Sequence, residues 1–315
     1  MKRTSSKKRT TLWRIVLLVS MAVILIGGVL LKITVHHQGT YSDSSLDGSE
    51  IAEEQETTIP SDVLASIKTQ KKVLGVSTDS TILMHTQIHV PILMYHYVEY
   101  VQDPKDTMRI KLNTTPYTLE QEIKTLTDAG YTFMTMAEVM DVMDRKTSLP
   151  SKPIVLTFDD GYRDFYTDAY PILKKHHIKA TQYVISGFLD KPNHLLTSQL
   201  IEIANDGLIE IGAHTVHHVS LKGKSSATVT YEVDQSKKML ENIIHKPVIS
   251  FAYPYGAFDL QAVNTVQTAG FNSATSTMPG INQPQENRYF LYRLRPGGRT
   301  GQYLLSWLDS VQNNH

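Results

Sequence analysis

The chain has 315 residues with 31 basic and 31 acidic side chains, so its formal net charge is zero. This balance gives no support for nucleic-acid binding, and no nucleic-acid partner is expected. Cysteine is absent, which excludes disulfides and thiolate metal sites. A metal would therefore need ligands from the carboxylates and the 13 histidines.

The N-terminus has the pattern of a membrane anchor. Residues 15–31 read IVLLVSMAVILIGGVLL, about 17 residues without a charge, and as a helix they would span roughly 26 Å. Residues 2–14 carry six Lys or Arg and no acid, whereas between Lys32 and Lys68 there is no basic residue other than histidine. The positive-inside rule predicts a cytoplasmic segment 1–14, an uncleaved single-pass anchor 15–33 in the cell membrane, and an extracellular remainder. A cleaved signal peptide is the alternative, although the apolar run is long for one and no A-x-A site follows it.

Residues 34–88 are predicted to be a flexible acidic tether. The part from His36 to Ser66 is polar and acidic, with no helical or strand period. The segment from there to His89 has an ambiguous pattern. Such a tether would hold a catalytic or binding domain, residues 89–315, off the membrane.

From Val90 onward, short apolar runs alternate with helix-like segments. The predicted strands are 91–98, 131–135, 153–158, 179–186, 208–214, 248–253, 271–275 and 290–294. The predicted helices are 119–129 with Thr118 as N-cap, 136–145, 167–176, 198–205, 227–244, 259–269 and 300–311. This alternation predicts an α/β fold with a parallel sheet, and seven or eight strands in about 225 residues favour a closed (β/α) barrel.

Several predicted strands end in polar residues that could carry chemistry. Active sites of such barrels lie at the carboxyl ends of the strands, so these side chains are expected to converge on one rim. They are His96, Asp159, Asp160, His214, Tyr253, Tyr255 and Arg293.

Two adjacent carboxylates, Asp159 and Asp160, follow the apolar run IVLTF and precede Gly161. Buried like charges are costly, so this pair predicts a cation nearby. His214 and His218 are four residues apart, and two imidazoles with one carboxylate make a three-ligand site for zinc or another divalent metal. His217 competes with His218 as a ligand. Because successive side chains of an extended chain point in opposite directions, one aspartate is expected to bind the metal and the other to act as a general base.

The motifs TFDDG (157–161), HTVHH (214–218) and AYPYG (252–256) resemble those of the polysaccharide deacetylases, the NodB-homology carbohydrate esterases. The resemblance covers residues 90–295. It implies a distorted (β/α)7 barrel that removes acetyl groups from sugars with a divalent metal, typically Zn²⁺, with Ni²⁺, Co²⁺ or Fe²⁺ as other candidates. It further implies Asp159 as the general base and Asp160, His214 and His218 as metal ligands. The backbone N–H of Tyr255 would help to form an oxyanion hole.

Two departures from the family pattern affect the expected roles. Ala252 stands where most members have an arginine that orients the base, and the late histidine is missing from residues 303–311. The branch that acts on poly-β-1,6-N-acetylglucosamine in biofilms is similar in both respects, and there a histidine of the first strand serves instead. By this resemblance His96 is the general acid. Arg293 or Arg295 is hypothesised to replace the lost arginine, and Arg293 is the preferred candidate.

The sequence thus predicts a membrane-anchored N-deacetylase of an extracellular N-acetylglucosamine polymer, with poly-β-1,6-N-acetylglucosamine as the favoured substrate. Peptidoglycan, chitin-like oligomers and O-acetylated xylan are alternative substrates. A non-catalytic carbohydrate-binding protein is an alternative from another class, favoured by Ala252 and the missing histidine. A glycoside hydrolase fits less well, because its two carboxylates must flank the scissile bond rather than lie side by side.

Overall fold

The structure is a computed structural model that describes residues 58–73, 87–284 and 288–313. The predicted cytoplasmic segment 1–14 and the predicted anchor 15–33 lie outside these residues. Among the helices that the structure describes, none is both long enough and apolar enough to cross a bilayer.

A parallel sheet of seven strands forms the centre of the fold. The strands are β1 Gln87–His89, β2 Ile92–Tyr95, β3 Thr132–Met134, β4 Pro153–Phe158, β5 Ala180–Val184, β6 Ile209–Ala213, β7 Ser250–Ala252, β8 Ser273–Thr275 and β9 Asn282–Pro284. The order in the sheet is β2-β4-β5-β6-β7-β8, and β3 pairs with the first half of β4. Strand β4 is PIVLTF and is buried along its whole length, as expected for a strand covered on both faces. Two further strands, β1 and β9, form a separate antiparallel pair.

Residues 291–294 connect the last strand of this sheet back to the first. Leu291 forms a parallel bridge with Thr275 of β8, and Leu294 forms one with Leu93 of β2. The arrangement fits a distorted (β/α) barrel. The eighth strand predicted over 290–294 is not a regular strand, because the backbone groups in its middle do not form hydrogen bonds with the backbone of a neighbouring strand. The backbone of Tyr292 binds the side chain of Gln283 instead of a neighbouring strand.

Each helix-like segment of the barrel region contains a helix in the structure. The helices are α1 Ser61–Val73, α2 Thr107–Leu112, α3 Pro116–Asp128, α4 Met136–Met143, α5 Tyr170–Lys175, α6 Thr197–Asp206, α7 Ser226–Ile244, α8 Leu260–Thr268 and α9 Gly301–Asn313. A π-helical segment, Phe165–Ala169, precedes α5.

The predicted N-cap of α3 was wrong. Thr115 is the cap, since its side chain accepts a hydrogen bond from the N–H of Thr118. Pro116 occupies the first helical position, where its fixed φ suits a helix and its missing N–H costs nothing.

Helix α1 lies within the segment predicted to be a flexible tether, so that expectation does not hold for residues 61–73. Val63 is buried in the core, and the Asp62 side chain accepts a hydrogen bond of 2.9 Å from the N–H of Leu260 at the start of α8. The short helix α2 was also not predicted.

Helix α4 packs against buried side chains of the sheet strands. Its methionines and valines form one cluster with Ile92, Val155, Tyr183 and Leu291. The N-terminus of α4 is held at the start of β5 and β6, where Met136 N–H donates to Thr181 Oγ1 and Ala137 N–H donates to Glu210 Oε2. The amino ends of these strands are therefore covered, and the candidate site lies at the carboxyl ends.

Candidate active site and metal centre

The structure brings the predicted site residues together at the carboxyl ends of the strands. His96 follows β2, Asp159 and Asp160 follow β4, and His214 follows β6. Tyr255 lies in the turn after β7. Because the strands are parallel, their carboxyl ends meet at one edge, and residues distant in sequence become neighbours there.

The backbone turns sharply between the two aspartates and the following glycine. Asp160 has φ 73° and Gly161 has φ 69°, both in the left-handed region that non-glycine residues rarely adopt. The Asp159 carboxylate contacts Arg293, whereas the Asp160 carboxylate contacts two histidines. The turn, rather than the alternation of side chains along an extended strand, thus separates the two negative charges into different environments.

Asp160, His214 and His218 form a group that could hold a metal ion. Their ligand atoms all lie within 4.8 Å of one another. Asp160 Oδ1 is 3.3 Å from His214 Nε2 and 3.2 Å from His218 Nε2. This oxygen is buried and has no hydrogen-bond partner. A buried, unpartnered carboxylate oxygen facing two imidazoles fits a cation, so the residues present suit a divalent metal.

The hydrogen bond behind His214 supports its role as a ligand. Its Nδ1 is 2.7 Å from the backbone carbonyl of Ala252, which requires the proton on Nδ1. Nε2 is then the ring nitrogen that faces Asp160 and is left to bind a metal. Metal-binding histidines are commonly oriented by such a bond from the other ring nitrogen.

The pKa values of the two histidines are shifted in opposite directions. Burial lowers the pKa of His214, but the contact with Asp160 and the negative charges of Asp159 and Asp160 together outweigh burial, and the net shift is upward. Burial and the neighbouring His214 lower the pKa of His218 to about 4. His218 is thus neutral at physiological pH, the form in which an imidazole binds a metal.

Of the two adjacent histidines, His218 and not His217 lies in the group with Asp160 and His214. The side chain of His217 is 50 % exposed, and its Nδ1 lies 2.8 Å from Glu232 Oε1. It is therefore held by Glu232 and is not part of the Asp160 group.

Arg293 holds Asp159 through two hydrogen bonds. Nη1 donates to Oδ1 at 2.7 Å and Nη2 donates to Oδ2 at 2.8 Å. The Arg293 side chain is completely buried and also donates to Thr157 Oγ1 and to the carbonyl of Ser276. Burial alone would raise the pKa of Asp159, but the charge and hydrogen bonds of Arg293 outweigh it, and the pKa is lowered. Arg293 therefore occupies the place beside Asp159 that the sequence hypothesis gave it.

His96 is a second residue that lies close to the Asp159 carboxylate. Its Nε2 is 4.0 Å from Asp159 Oδ2, and its side chain is 13 % exposed. Burial lowers the pKa of His96, and the charges of Asp159 and Asp160 oppose this shift in part. The ring is thus close to the candidate base and accessible at one side.

Tyr255 lies at the exposed edge of the site. The residue is 64 % exposed, and the centroid of its ring is 4.6 Å from that of His218. Tyr255 and Gly256 both have left-handed φ values, 60° and 64°. A Cβ at Gly256 would lie 2.1 Å from Thr277 Oγ1, so this turn requires a glycine.

Glu232 is a site residue that the sequence analysis missed. It lies on α7 among the buried residues Val229, Val233 and Ser236 and contacts the histidine loop, residues 214–218. A glutamate on the apolar face of an amphipathic helix is a signal that could have found it, because a carboxylate is rarely buried without partners.

Comparisons with known proteins agree with this site. The family model described as polysaccharide deacetylase matches residues 146–274, which include the two aspartates and the histidine loop. YxkH of Bacillus subtilis (strain 168), a protein named as a candidate polysaccharide deacetylase, is 31% identical over 253 residues, which are 78% of this chain and 87% of that protein.

A second relative is named for a specific substrate. The poly-β-1,6-N-acetyl-D-glucosamine N-deacetylase of Staphylococcus aureus (strain MSSA476) is 25% identical over 264 residues, 80% of this chain and 86% of that protein. Among solved structures, the Streptococcus pyogenes deacetylase PplD in complex with acetate has a TM-score of 0.66 and 30% identity. That match covers 71% of this chain and 99% of PplD.

Proposed function

This chain belongs to the polysaccharide deacetylase family, whose members are metal-dependent hydrolases, and we propose that it removes N-acetyl groups from extracellular poly-β-1,6-N-acetylglucosamine. The observation that carries the proposal is the arrangement of the two aspartates. Asp160 faces His214 and His218, whereas Asp159 is held by Arg293 beside them. A metal site and a candidate base therefore lie next to each other, as hydrolysis of an acetamide requires.

A divalent metal held by Asp160, His214 and His218 would supply Lewis-acid chemistry, polarising the acetyl carbonyl and making water more acidic. Zn²⁺ is the proposed metal, and Ni²⁺, Co²⁺ and Fe²⁺ suit the same ligands.

Asp159 is proposed as the general base. The bidentate contact with Arg293 fixes the orientation of the carboxylate and keeps it ionised, so it can accept a proton from the attacking water. As the oxygen of that water bonds to the acetyl carbon, its proton passes to Asp159.

His96 is proposed as the general acid. The C–N bond breaks to give acetate and a free amine, and the leaving nitrogen needs a proton. His96 Nε2 lies 4.0 Å from Asp159 Oδ2, a gap that one water can bridge, so the proton taken by Asp159 can reach the imidazole. The proposed role of Tyr255 is to donate its backbone N–H to the oxyanion, since its turn lies against His218.

The substrate assignment is supported by two features of the chain. The relative from Staphylococcus aureus is named for poly-β-1,6-N-acetyl-D-glucosamine. This chain also has His96 at the end of β2 and Arg293 beside Asp159, in place of the late histidine and the arginine of most family members.

We also propose that the enzyme acts at the cell surface. The basic segment 1–14 and the apolar segment 15–33 support a single-pass anchor with the catalytic domain outside. Protease added to intact cells is expected to remove the domain. Full protection in intact cells, followed by digestion after lysis, would contradict this location.

The activity is tested by acetate release from β-1,6-linked N-acetylglucosamine oligomers by the full-length protein. Release is expected to stop with a chelator, to return with Zn²⁺, and to be lost in Asp159→Asn, which keeps the shape but removes the base. A free amine must appear with each acetate.

Peptidoglycan fragments, chitin oligomers and acetylated xylan serve as comparison substrates. Release from one of these and not from the β-1,6 oligomers would reassign the substrate within the family. Metal binding without acetate release from any of them would support the carbohydrate-binding alternative and overturn the proposal.

A further inference from the structure

Glu232 is a buried glutamate that supports the histidine loop, residues 214–218, from the side of helix α7. Its Oε2 accepts hydrogen bonds of 2.9 Å from the backbone N–H groups of Val216 and His217. Its Oε1 lies 2.8 Å from Nδ1 of His217. One carboxylate thus makes three hydrogen bonds to a loop that carries two candidate metal ligands.

The histidine loop needs such support because its backbone is unusual. Thr215 has φ 65° and His218 has φ 53°, so two non-glycine residues adopt the left-handed conformation. Thr215 Oγ1 accepts a hydrogen bond of 2.9 Å from the N–H of His218, which stabilises the turn internally. The N–H of Gly187 donates to the carbonyl of Val216 on the opposite side. Glu232 completes this set of contacts from α7.

The same carboxylate determines where the His217 ring points. His217 and His218 are adjacent, and their rings are chemically equivalent as ligands. The ring of His217 is held by Glu232 and lies parallel to Tyr231, with centroids 6.2 Å apart and an interplanar angle of 10°. The ring of His218 lies 3.2 Å from Asp160 Oδ1.

We propose that Glu232 is a positioning residue that selects His218 rather than His217 as the third ligand of the metal centre. Glu232 does so by accepting hydrogen bonds from the backbone of the loop and by holding the His217 ring away from Asp160. The inference rests on the proposed function, because it concerns the ligands of that same metal centre.

Binding of Co²⁺ to the full-length protein tests the proposal, because its visible absorption spectrum reports ligand identity and geometry. Glu232→Ala is expected to bind Co²⁺ about 10- to 100-fold more weakly than wild type and with an altered spectrum. Glu232→Gln retains a side-chain oxygen for the two backbone N–H groups, so it is expected to recover most of the affinity. Wild-type affinity and spectrum in Glu232→Ala would overturn the proposal.

Removal of the His217 ring distinguishes two roles of Glu232, the selection of His218 as a metal ligand and the general support of the loop backbone. The double variant Glu232→Ala, His217→Ala is expected to regain the wild-type spectrum, since only His218 can then join Asp160 and His214. An identical altered spectrum in the single and double variants would contradict selection.

The variant His217→Ala keeps Glu232 and its two backbone bonds, and it provides a test even if Glu232→Ala does not fold. It is expected to bind Co²⁺ with wild-type affinity and spectrum. A tenfold loss of affinity would show that His217 is itself a ligand and would overturn the proposal. If the wild-type protein binds no Co²⁺, the metal centre and this inference both fail. If it binds normally and only the variants depart from expectation, the proposed function stands and this inference fails.

Discussion

The guanidinium of Arg293 and the carboxylate of Asp159 are joined by two parallel hydrogen bonds of 2.7 and 2.8 Å, both buried. A planar guanidinium matches a carboxylate in this way, and a lysine cannot. The pair sets both the charge and the orientation of the proposed base.

Arg293→Ala is therefore expected to lower kcat more than about tenfold, because the proposed base Asp159 loses its fixed orientation. Metal binding is expected to be retained, because the proposed metal ligands are unchanged. Arg293→Lys is expected to recover only part of the activity. Steady-state kinetics and metal content per chain are the measurements. Arg288→Ala is the matched control, since Arg288 pairs with Asp144 on the surface. Unchanged kcat in Arg293→Ala would remove Arg293 from the mechanism.

His96→Gln is expected to lower kcat by about 10²- to 10⁴-fold, the usual contribution of a general acid. Metal affinity should hardly change, because His96 is not part of the Asp160 group. Substrates with better leaving groups need less protonation, so an activated acetyl ester should lose much less activity than the amide. Equal losses for both substrates would argue that His96 only maintains the structure.

Asp160→Asn is expected to weaken metal binding by more than the roughly 10- to 100-fold that changes in outer residues cause, because it replaces a ligand charge. Asp159→Asn, its neighbour, should retain the metal and lose only turnover. Zn²⁺ competition with a coloured chelator measures both variants. Equal metal affinity in the two variants would contradict the division of roles between these aspartates.

Glu122 on α3 is expected to make stability depend on pH. Burial raises the pKa of Glu122 to about 8, despite the hydrogen bond that it accepts from Tyr95. Between the ordinary glutamate pKa of 4.5 and about 8, the folded chain binds this proton and the unfolded chain does not. The contribution of Glu122 to the free energy of unfolding therefore falls as pH rises through this range, by on the order of 1 kcal/mol per pH unit.

In Glu122→Gln, the neutral amide resembles the protonated carboxyl group of Glu122 but cannot ionise. Its stability relative to wild type is expected to increase from pH 5 to pH 8, as measured by urea unfolding at intervals of one pH unit. A difference that stays constant across this range would show that Glu122 titrates normally.

Much of the fold could be predicted from local patterns. Strand β4 was predicted with its observed bounds, 153–158, because a continuous apolar run ending at Asp159 and Gly161 has few other interpretations. Helix bounds were mostly within two residues. Helix α1 was missed, since its burial depends on contacts such as that between Asp62 and the start of α8, which are not visible in a short polar segment.

The sequence by itself determined the chemistry available at the site: two aspartates at a strand end, two histidines four residues apart, and no cysteine. The choice among equivalent residues was made by the tertiary structure. Arg293 lies 134 residues from Asp159 in sequence, and its neighbour Arg295 offers the same guanidinium. Hydrogen bonds from residues 291–294 to β2 and β8 bring Arg293 to Asp159, and bonds from Glu232 turn His217 away from Asp160. Such choices depend on backbone geometry across distant segments, and residue type alone carries no information about that geometry.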